Sequence, residues 1–402
     1  MTEKITERLR HLRLKRREGR RIRAGHLWVF SNEIDTDATP LRLFEPGEAV
    51  SIRGADGRFL AYGYVNPHSL ICARVLSRDQ KHPPDRSMLV HRLKIALSLR
   101  EKLFDHPCYR LVFGDGDLLP GLVVDRHGEV LVAQLTTAGM ERMKDDVLAA
   151  LRKVIRPKAV LWRNDSSVRK LEGLESYVEP AYGKIPETVE IREGRARFDI
   201  PLMGGQKTGW YYDQRLNRER LKPYVRDARV LDVYSYVGAF GIQCKKHGAE
   251  SVICVDSSAQ ALEFAQTNAR KNRVRVETLK GDAVEVLRDL RKEKSQFDVV
   301  ILDPPAFVKK KRDLEAGREA YRRIIQSGMQ LLGREGYLLA CSCSSHMPQS
   351  ELLQLVQHAA RHTGRHAQLI EVGGQAPDHP IHPAIPETRY LKSLLCRLTR
   401  QQ

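Results

Sequence analysis

The chain has 402 residues, with 68 Lys and Arg against 50 Asp and Glu and a formal net charge of +18. Hydrophobic residues make up 42% and charged residues 29%, a globular composition sized for two or three domains, and no apolar run is long enough for a transmembrane helix. The excess positive charge favours a polyanionic partner through phosphate contacts and counterion release, without separating RNA from DNA.

No apolar segment follows the charged N-terminus, and the seven cysteines have no regular disulfide spacing, so a reducing, cytoplasmic location is expected. The basic stretch up to Arg23, interrupted by Leu9, Leu12 and Leu14, reads as a short basic helix. Trp28–Phe30, Glu48–Ile52, Phe59–Tyr64 and Ile71–Leu76 read as short strands divided by Pro46-Gly47, Gly54 with Asp56-Gly57, and Asn66-Pro67, the pattern of a small barrel. After the linker Lys81-His82-Pro83-Pro84 comes an amphipathic helix from Ser87 to Leu103. Strands are expected at Tyr109–Phe113, Leu122–Val124 and Val130–Leu135, and a helix at Glu141–Val154. Ile191–Phe198 alternates about Glu193-Gly194 as a hairpin would.

From Val230 the pattern becomes strand then helix, repeated, with strands at Val230–Tyr234, Ser251–Val255, Val274–Leu279, Val299–Leu302 and Tyr337–Cys341. That alternation predicts an open, mostly parallel sheet wound on both faces. Val230 to Gly241 is an apolar strand, a tight turn and a helix, which lets a ligand approach the backbone. Asp256 ends the second strand, where a carboxylate binds ribose hydroxyls, and Asp282 follows the third, where it can accept from an adenine amino group. The G-x-G-x-x-G fingerprint of a dinucleotide dehydrogenase is missing, so an adenosyl ligand is the better reading.

Asp303-Pro304-Pro305-Ala306-Phe307 follows the fourth strand as a rigid turn. It aims a carboxylate and an aromatic ring at the crevice beyond the strand ends, groups suited to the edge and face of a base. Cys341-Ser342-Cys343-Ser344 follows the fifth strand. A thiolate there can attack an electron-poor carbon, C6 in cytosine; a buried structural cysteine is the alternative. By strand alternation Cys341 and Cys343 would face the same side. His346 lies nearby, but no second Cys or His pair completes a tetrahedral set, so no metal is expected.

The chain resembles the bacterial ribosomal RNA large-subunit methyltransferase I family, 23S rRNA cytosine-C5 methyltransferases, over nearly its whole length. Five ordered blocks carry the likeness: Gly25–Ser31, Gly116–Arg126, the signature block Gly205-Gln206-Lys207-Thr208-Gly209-Trp210-Tyr211-Tyr212-Asp213-Gln214-Arg215, Asp303–Phe307 with Ser342-Cys343-Ser344, and Asp378-His379-Pro380 with Tyr390-Leu391-Lys392. The resemblance implies an α/β protein: a PUA-like RNA-binding barrel over 1–75, a central α/β domain over 76–186, and a Rossmann-like class I methyltransferase domain over 187–402. It implies S-adenosylmethionine as cofactor and 23S rRNA, or its large-subunit precursor, as partner, with no membrane and no metal.

Carried over by position, Cys343 takes the nucleophile slot and Asp303 faces the target base. Tyr234, Tyr236, Gly238, Asp256, Ser257, Asp282 and Ala283, with Gln214 and Arg215, fall to the cofactor, and Phe307 and Lys207 to the substrate. The chain departs from the fully Gly-rich first motif at Ala239 and Phe240, and it has no second cysteine beside the motif prolines. Another base must therefore remove the C5 proton; Asp378 and His379 are candidates, with a buried hydrogen-bonding role as the alternative. Guanine-nitrogen or uracil-C5 methylation, and a non-catalytic RNA-binding assembly factor, stay open as rivals. The oligomeric state is not fixed by the sequence, a homodimer being one option.

Overall fold

The computed structural model describes residues 9–203, 208–308 and 310–400. The chain divides into two compact units: Met1–Val189 with Pro201–Trp210 and Pro377–Thr388, and Glu190–Ile200 with Tyr211–Ala376 and Arg389–Gln402.

In the first unit the described part of the basic N-terminal stretch is helical only at its end. Leu12 and Leu14 are fully buried while His11, Arg13 and Lys15 are exposed, a period of two. Residues His11–Arg13 form β1, and helix is confined to α1, Arg20–Arg23; the first eight residues lie outside the described ones. With β2 (Trp28–Val29), β3 (Glu48–Arg53), β4 (Phe59–Val65) and β5 (Ala73–Ser77), β1 builds a five-stranded sheet in the order β1-β3-β4-β5-β2. Its core gathers Leu12, Val50, Ile52, Ala61 and Val75.

A second five-stranded sheet follows α2 (Arg86–Leu103). It is ordered β10-β9-β8-β7-β6, from β6 (Cys108–Phe113), β7 (Leu122–His127), β8 (Val130–Leu135), β9 (Ala159–Asn164) and β10 (Tyr177–Tyr182). The helix expected from Glu141 to Val154 is two, α3 (Ala138–Arg142) and α4 (Lys144–Ile155), separated by Met143. Thr137 caps α3, and Gly139 is required there: a Cβ would stand 2.0 Å from the Tyr64 ring. A short α5 (Val168–Leu171) precedes β10.

Pro377–Thr388 returns to this unit as a strap. Arg100 donates to the Asp378 carbonyl at 2.7 Å, and the Arg110 amide donates to its carboxylate at 3.0 Å. Asp378 and the His379 ring are 2.9 Å apart and buried, with His379 against Phe113. Gly116 sits so close beneath the strap that a Cβ would be 2.1 Å from the Pro380 carbonyl oxygen. The Gly116–Arg126 block thus begins as the seat of the Asp378-His379-Pro380 block, with Asp117 in a bidentate pair on buried Arg100 at 2.6 and 2.8 Å.

The expected hairpin forms as β11 (Thr188–Glu193) and β12 (Ala196–Pro201), most of it in the second unit, and α6 (Arg215–Arg220) follows. Its seven-stranded sheet is ordered β15-β14-β13-β16-β17-β19-β18. The strands are β13 (Arg229–Val233), β14 (Ser251–Asp256), β15 (Glu277–Lys280), β16 (Phe297–Leu302), β17 (Leu332–Ser342), β18 (Arg365–Gly374) and β19 (Lys392–Arg400). The first five pair in parallel, while β19 is antiparallel to β17 and β18. Helices α7 (Ala239–Lys246), α8 (Ala259–Lys271), α9 (Ala283–Lys292), α10 (Leu314–Gln330) and α11 (Gln349–His362) cover both faces.

Alternation along the strands makes this double winding necessary. Leu231, Val300, Leu338 and Leu394 join one core with α9, α10 and α11, and Val230, Val299, Leu339 and Leu395 join another with α7 and α8. The strand expected from Val274 starts only at Glu277, because the Val274 amide closes the end of α8 on the Ala269 carbonyl at 3.0 Å, after Arg273 turns left-handed at φ 58°.

Candidate active site

The ends of β13, β14 and β15 meet at one turn. Within β13, buried Asp232 accepts from the Gly241 amide at 2.9 Å, tying the strand to α7, and its other oxygen has no hydrogen-bond partner among the described residues. Burial pushes its carboxyl up to about 7. The chain then passes through Tyr234, Tyr236 and Gly238 at φ 65°, 49° and 80°. The left-handed region costs a tyrosine about 1–2 kcal/mol, so the turn is held by its surroundings. The Ser235 amide bonds the Val255 carbonyl at 3.0 Å, and the Tyr236 amide bonds the Asp256 carboxylate at 2.9 Å. Asp256 also accepts from the Ser258 amide at 2.9 Å. Ser257 is exposed and Ala283 buried. Asp282 is exposed and caps α9 with one oxygen, accepting from Val284 at 2.9 Å and Glu285 at 3.3 Å. Burial, then the charge of Asp282, raises the Tyr234 hydroxyl above the usual tyrosine range.

Asp303 leaves β16 with its amide 3.4 Å from the Val233 carbonyl. Its carboxylate accepts from the Gln214 amide at 2.7 Å, and Gln214 accepts in turn from Asn217 at 2.6 Å, so the signature block orients the carboxylate. Arg215 lies 3.7 Å from Glu193. Arg218 grips Glu193 with both nitrogens at 2.5 and 2.6 Å and donates to the Tyr211 carbonyl at 2.9 Å. Tyr211 stands edge-on to Tyr236, ring centroids 5.8 Å apart. Burial raises its hydroxyl, and Tyr236, Asp303, Asp213 and Cys343 add to the effect. Tyr211 thus packs on the Tyr234–Gly238 turn, a contact that residue spacing does not reveal. Lys207 lies outside the described residues.

Of the seven cysteines only Cys343 is half-buried; the other six are buried. It follows the last residue of β17, with Sγ 4.0 Å from the Pro304 carbonyl oxygen. The two flanking serines lock it. Ser342 donates to the Tyr321 hydroxyl at 2.9 Å, that hydroxyl lies 3.0 Å from Ser344 Oγ, and Ser344 Oγ accepts from the Val308 amide at 3.1 Å. Phe307 packs on Tyr321, ring centroids 4.8 Å apart. The Cys343 turn and the Asp303–Phe307 turn are thus fastened to one side chain of α10. Burial first, and Asp303 next, hold the Cys341 thiol well above the ordinary range, which leaves it unreactive. Asp378 and His379 fold into the other unit, where each is buried and hydrogen-bonded.

Residues 12–78 match the PUA-like domain family, and 131–397 match the S-adenosylmethionine-dependent methyltransferase family. The ribosomal RNA large subunit methyltransferase I of Aliivibrio fischeri is 38% identical over 384 residues, covering 94% of this chain and 96% of that protein. The chain belongs to that methyltransferase family. Its Vibrio cholerae member is 36% identical over 387 residues, with 94% and 96% covered. A candidate methyltransferase from Streptococcus mutans, 18% identical, shares the fold with a TM-score of 0.82 over 97% of this chain and 100% of its own.

For a member of this family the cofactor is S-adenosylmethionine, and the residues present suit it. Each oxygen of Asp256 takes one backbone N–H, so each keeps a lone pair for a ribose hydroxyl. Asp282 uses one oxygen on α9 and keeps the other as an acceptor for an amino group.

Proposed function

We propose that the chain methylates C5 of a cytosine in 23S rRNA, with Cys343 as nucleophile. The observation that carries this reading is the pairing of the one half-buried cysteine with the Asp303 turn, Sγ to the Pro304 carbonyl oxygen at 4.0 Å. Asp256, Asp282, Tyr234, Tyr236 and Gly238 would hold S-adenosylmethionine, with Ser257 and Ala283 beside them; Gln214 would act through Asp303. When bound, the cofactor supplies an electrophilic sulfonium methyl group.

The Cys343 thiolate adds to C6 of the base, which makes C5 nucleophilic. Asp303, fixed by Gln214, bonds the N3 and amino edge and stabilises the proton there. Phe307 would contact the base face. After C5 is methylated, a base takes the C5 proton and the C6–Sγ bond breaks, restoring the thiolate and the ring double bond. The target must be unpaired or flipped out for C6 to reach Cys343. The relatives' name supports a large-subunit rRNA substrate, the match to the PUA-like family and the charge of +18 support RNA binding, and such a substrate carries a cytoplasmic location with it. The division at 75 and 186 belongs to the same proposal.

Mass spectrometry of 23S rRNA incubated with methyl-labelled cofactor tests it. The wild type is expected to label C5 of a cytosine and Cys343→Ala to label nothing. Label on a guanine nitrogen, or unchanged transfer by Cys343→Ala, would overturn the cysteine mechanism.

A further inference from the structure

Lys392 opens β19 directly opposite Ser342 of β17. It is 5% exposed, and its ammonium donates to the Ser344 carbonyl and, at 2.7 Å, to the Tyr390 carbonyl. Among the described residues no carboxylate forms an ion pair with it. A buried ammonium that meets only neutral carbonyls carries an uncompensated desolvation cost. The sequence around it offers no acid to repair this, since Tyr390, Leu391, Ser393 and Leu394 are its neighbours.

Cys343 lies between the two residues that Lys392 meets, Ser342 opposite it in the sheet and Ser344 through its carbonyl. Burial brings the Lys392 amine down to about 8, and of the two charged neighbours Cys343 acts to raise it and Arg389 to lower it. The attraction is mutual: a thiolate that holds the proton on Lys392 is itself favoured by the ammonium. Cys343 also acts on Tyr211, Tyr321 and Cys341, and the Asp303 carboxylate acts on two of these same groups, Tyr211 and Cys341. Through the Ser344 carbonyl, Lys392 also anchors the residue that follows the cysteine.

We propose that Lys392 is a positioning residue that supplies the positive charge for a thiolate at Cys343 and fastens the Cys343 turn to β19. The thiol proton leaves to solvent and Lys392 keeps its own. The role of this thiolate in methyl transfer rests on the function proposed above; its existence does not.

The test is the pH dependence of iodoacetamide alkylation at Cys343, localised by peptide mass spectrometry, in the full-length wild type, Lys392→Met and Lys392→Arg. Lys392→Met is expected to move the half-point up by about one pH unit and to slow alkylation roughly tenfold near neutral pH, while Lys392→Arg stays near the wild type. Superimposed wild-type and Lys392→Met profiles, or equal shifts in both variants, would overturn the proposal. Should Lys392→Met not fold, the difference in thiolate absorbance between wild type and Cys343→Ser decides. A midpoint below the ordinary thiol value of about 8.5 supports the pair, and one at or above it refutes the pair. Methyl transfer by Cys343→Ser is read in parallel: if it persists, the nucleophile reading fails while the alkylation profile still judges Lys392.

Discussion

Replacing Tyr321 by Phe removes one oxygen atom and loosens both sides of the Cys343 turn. The hydroxyl makes two buried hydrogen bonds, to Ser342 at 2.9 Å and Ser344 at 3.0 Å, in a side chain 1% exposed. Two such bonds are worth about 0.5–1.5 kcal/mol each, and leaving the Ser342 donor without its acceptor adds about 1 kcal/mol or more. The expected loss is about 2–4 kcal/mol in urea denaturation, with the m-value unchanged. Ser344→Ala removes one of the same bonds and the acceptor of the Val308 amide. The two substitutions share a bond, so the double variant should lose about 1 kcal/mol less than their sum. Single-turnover methyl transfer should fall about tenfold or more in Tyr321→Phe, because the nucleophile turn is no longer held. Stability losses that add to within about 0.5 kcal/mol would refute the shared lock.

Asp256→Ala removes the acceptor of two turn amides and of the proposed ribose bonds, and should weaken S-adenosylmethionine binding about 10–100-fold by calorimetry; unchanged affinity would remove Asp256 from the cofactor site. Asp232 is raised from 3.8 to about 7 by burial, so the folded chain binds more protons than the unfolded one between those values, and stability falls as pH rises through that window. Denaturation series should show the wild type losing up to about 1.4 kcal/mol per pH unit there relative to Asp232→Asn, whose Oδ1 still accepts from Gly241; a pH-independent difference would show the carboxyl ionised throughout. Asp378→Ala deletes the acceptor facing the Arg110 amide and the His379 ring, and should cost about 2–4 kcal/mol by urea denaturation. A loss under about 0.5 kcal/mol would show that the strap is held by its other contacts.

What could be read beforehand is what is local. Strand β13 and strand β16 place apolar residues on both faces, and Asp256, Asp282 and Asp303 stand at or just past strand ends, where a parallel sheet gathers its ligands. The left-handed tyrosines at 234 and 236 could not be foreseen, because nothing in Tyr-Ser-Tyr favours a positive φ; the bonds from Val255 and Asp256 impose it. Tyr321 sits mid-helix among ordinary amphipathic residues, so its bonds to Ser342 and Ser344 leave no trace in spacing. Tyr211 and Lys392 lay inside recognised blocks, yet their roles depend on partners brought in from β16 and β17. In the basic N-terminal stretch, charge density hides the two-residue period that Leu12 and Leu14 display in the fold, and helix appears only at Arg20–Arg23.

The strap has a consequence for synthesis. Arg100 and Arg110 wait for Asp378 across 278 and 268 residues of chain, so the first unit is translated almost entirely before the segment that completes it is made. Nascent chains emerge at roughly 5–20 residues per second, which leaves that seat open for many seconds, with the guanidinium of Arg100 already paired to Asp117 and the Gly116 floor bare. Strand β19, which sits between β17 and β18, is made later still. A ribosome stalled before residue 377 therefore presents two incomplete units at once, one lacking its strap and the other a strand.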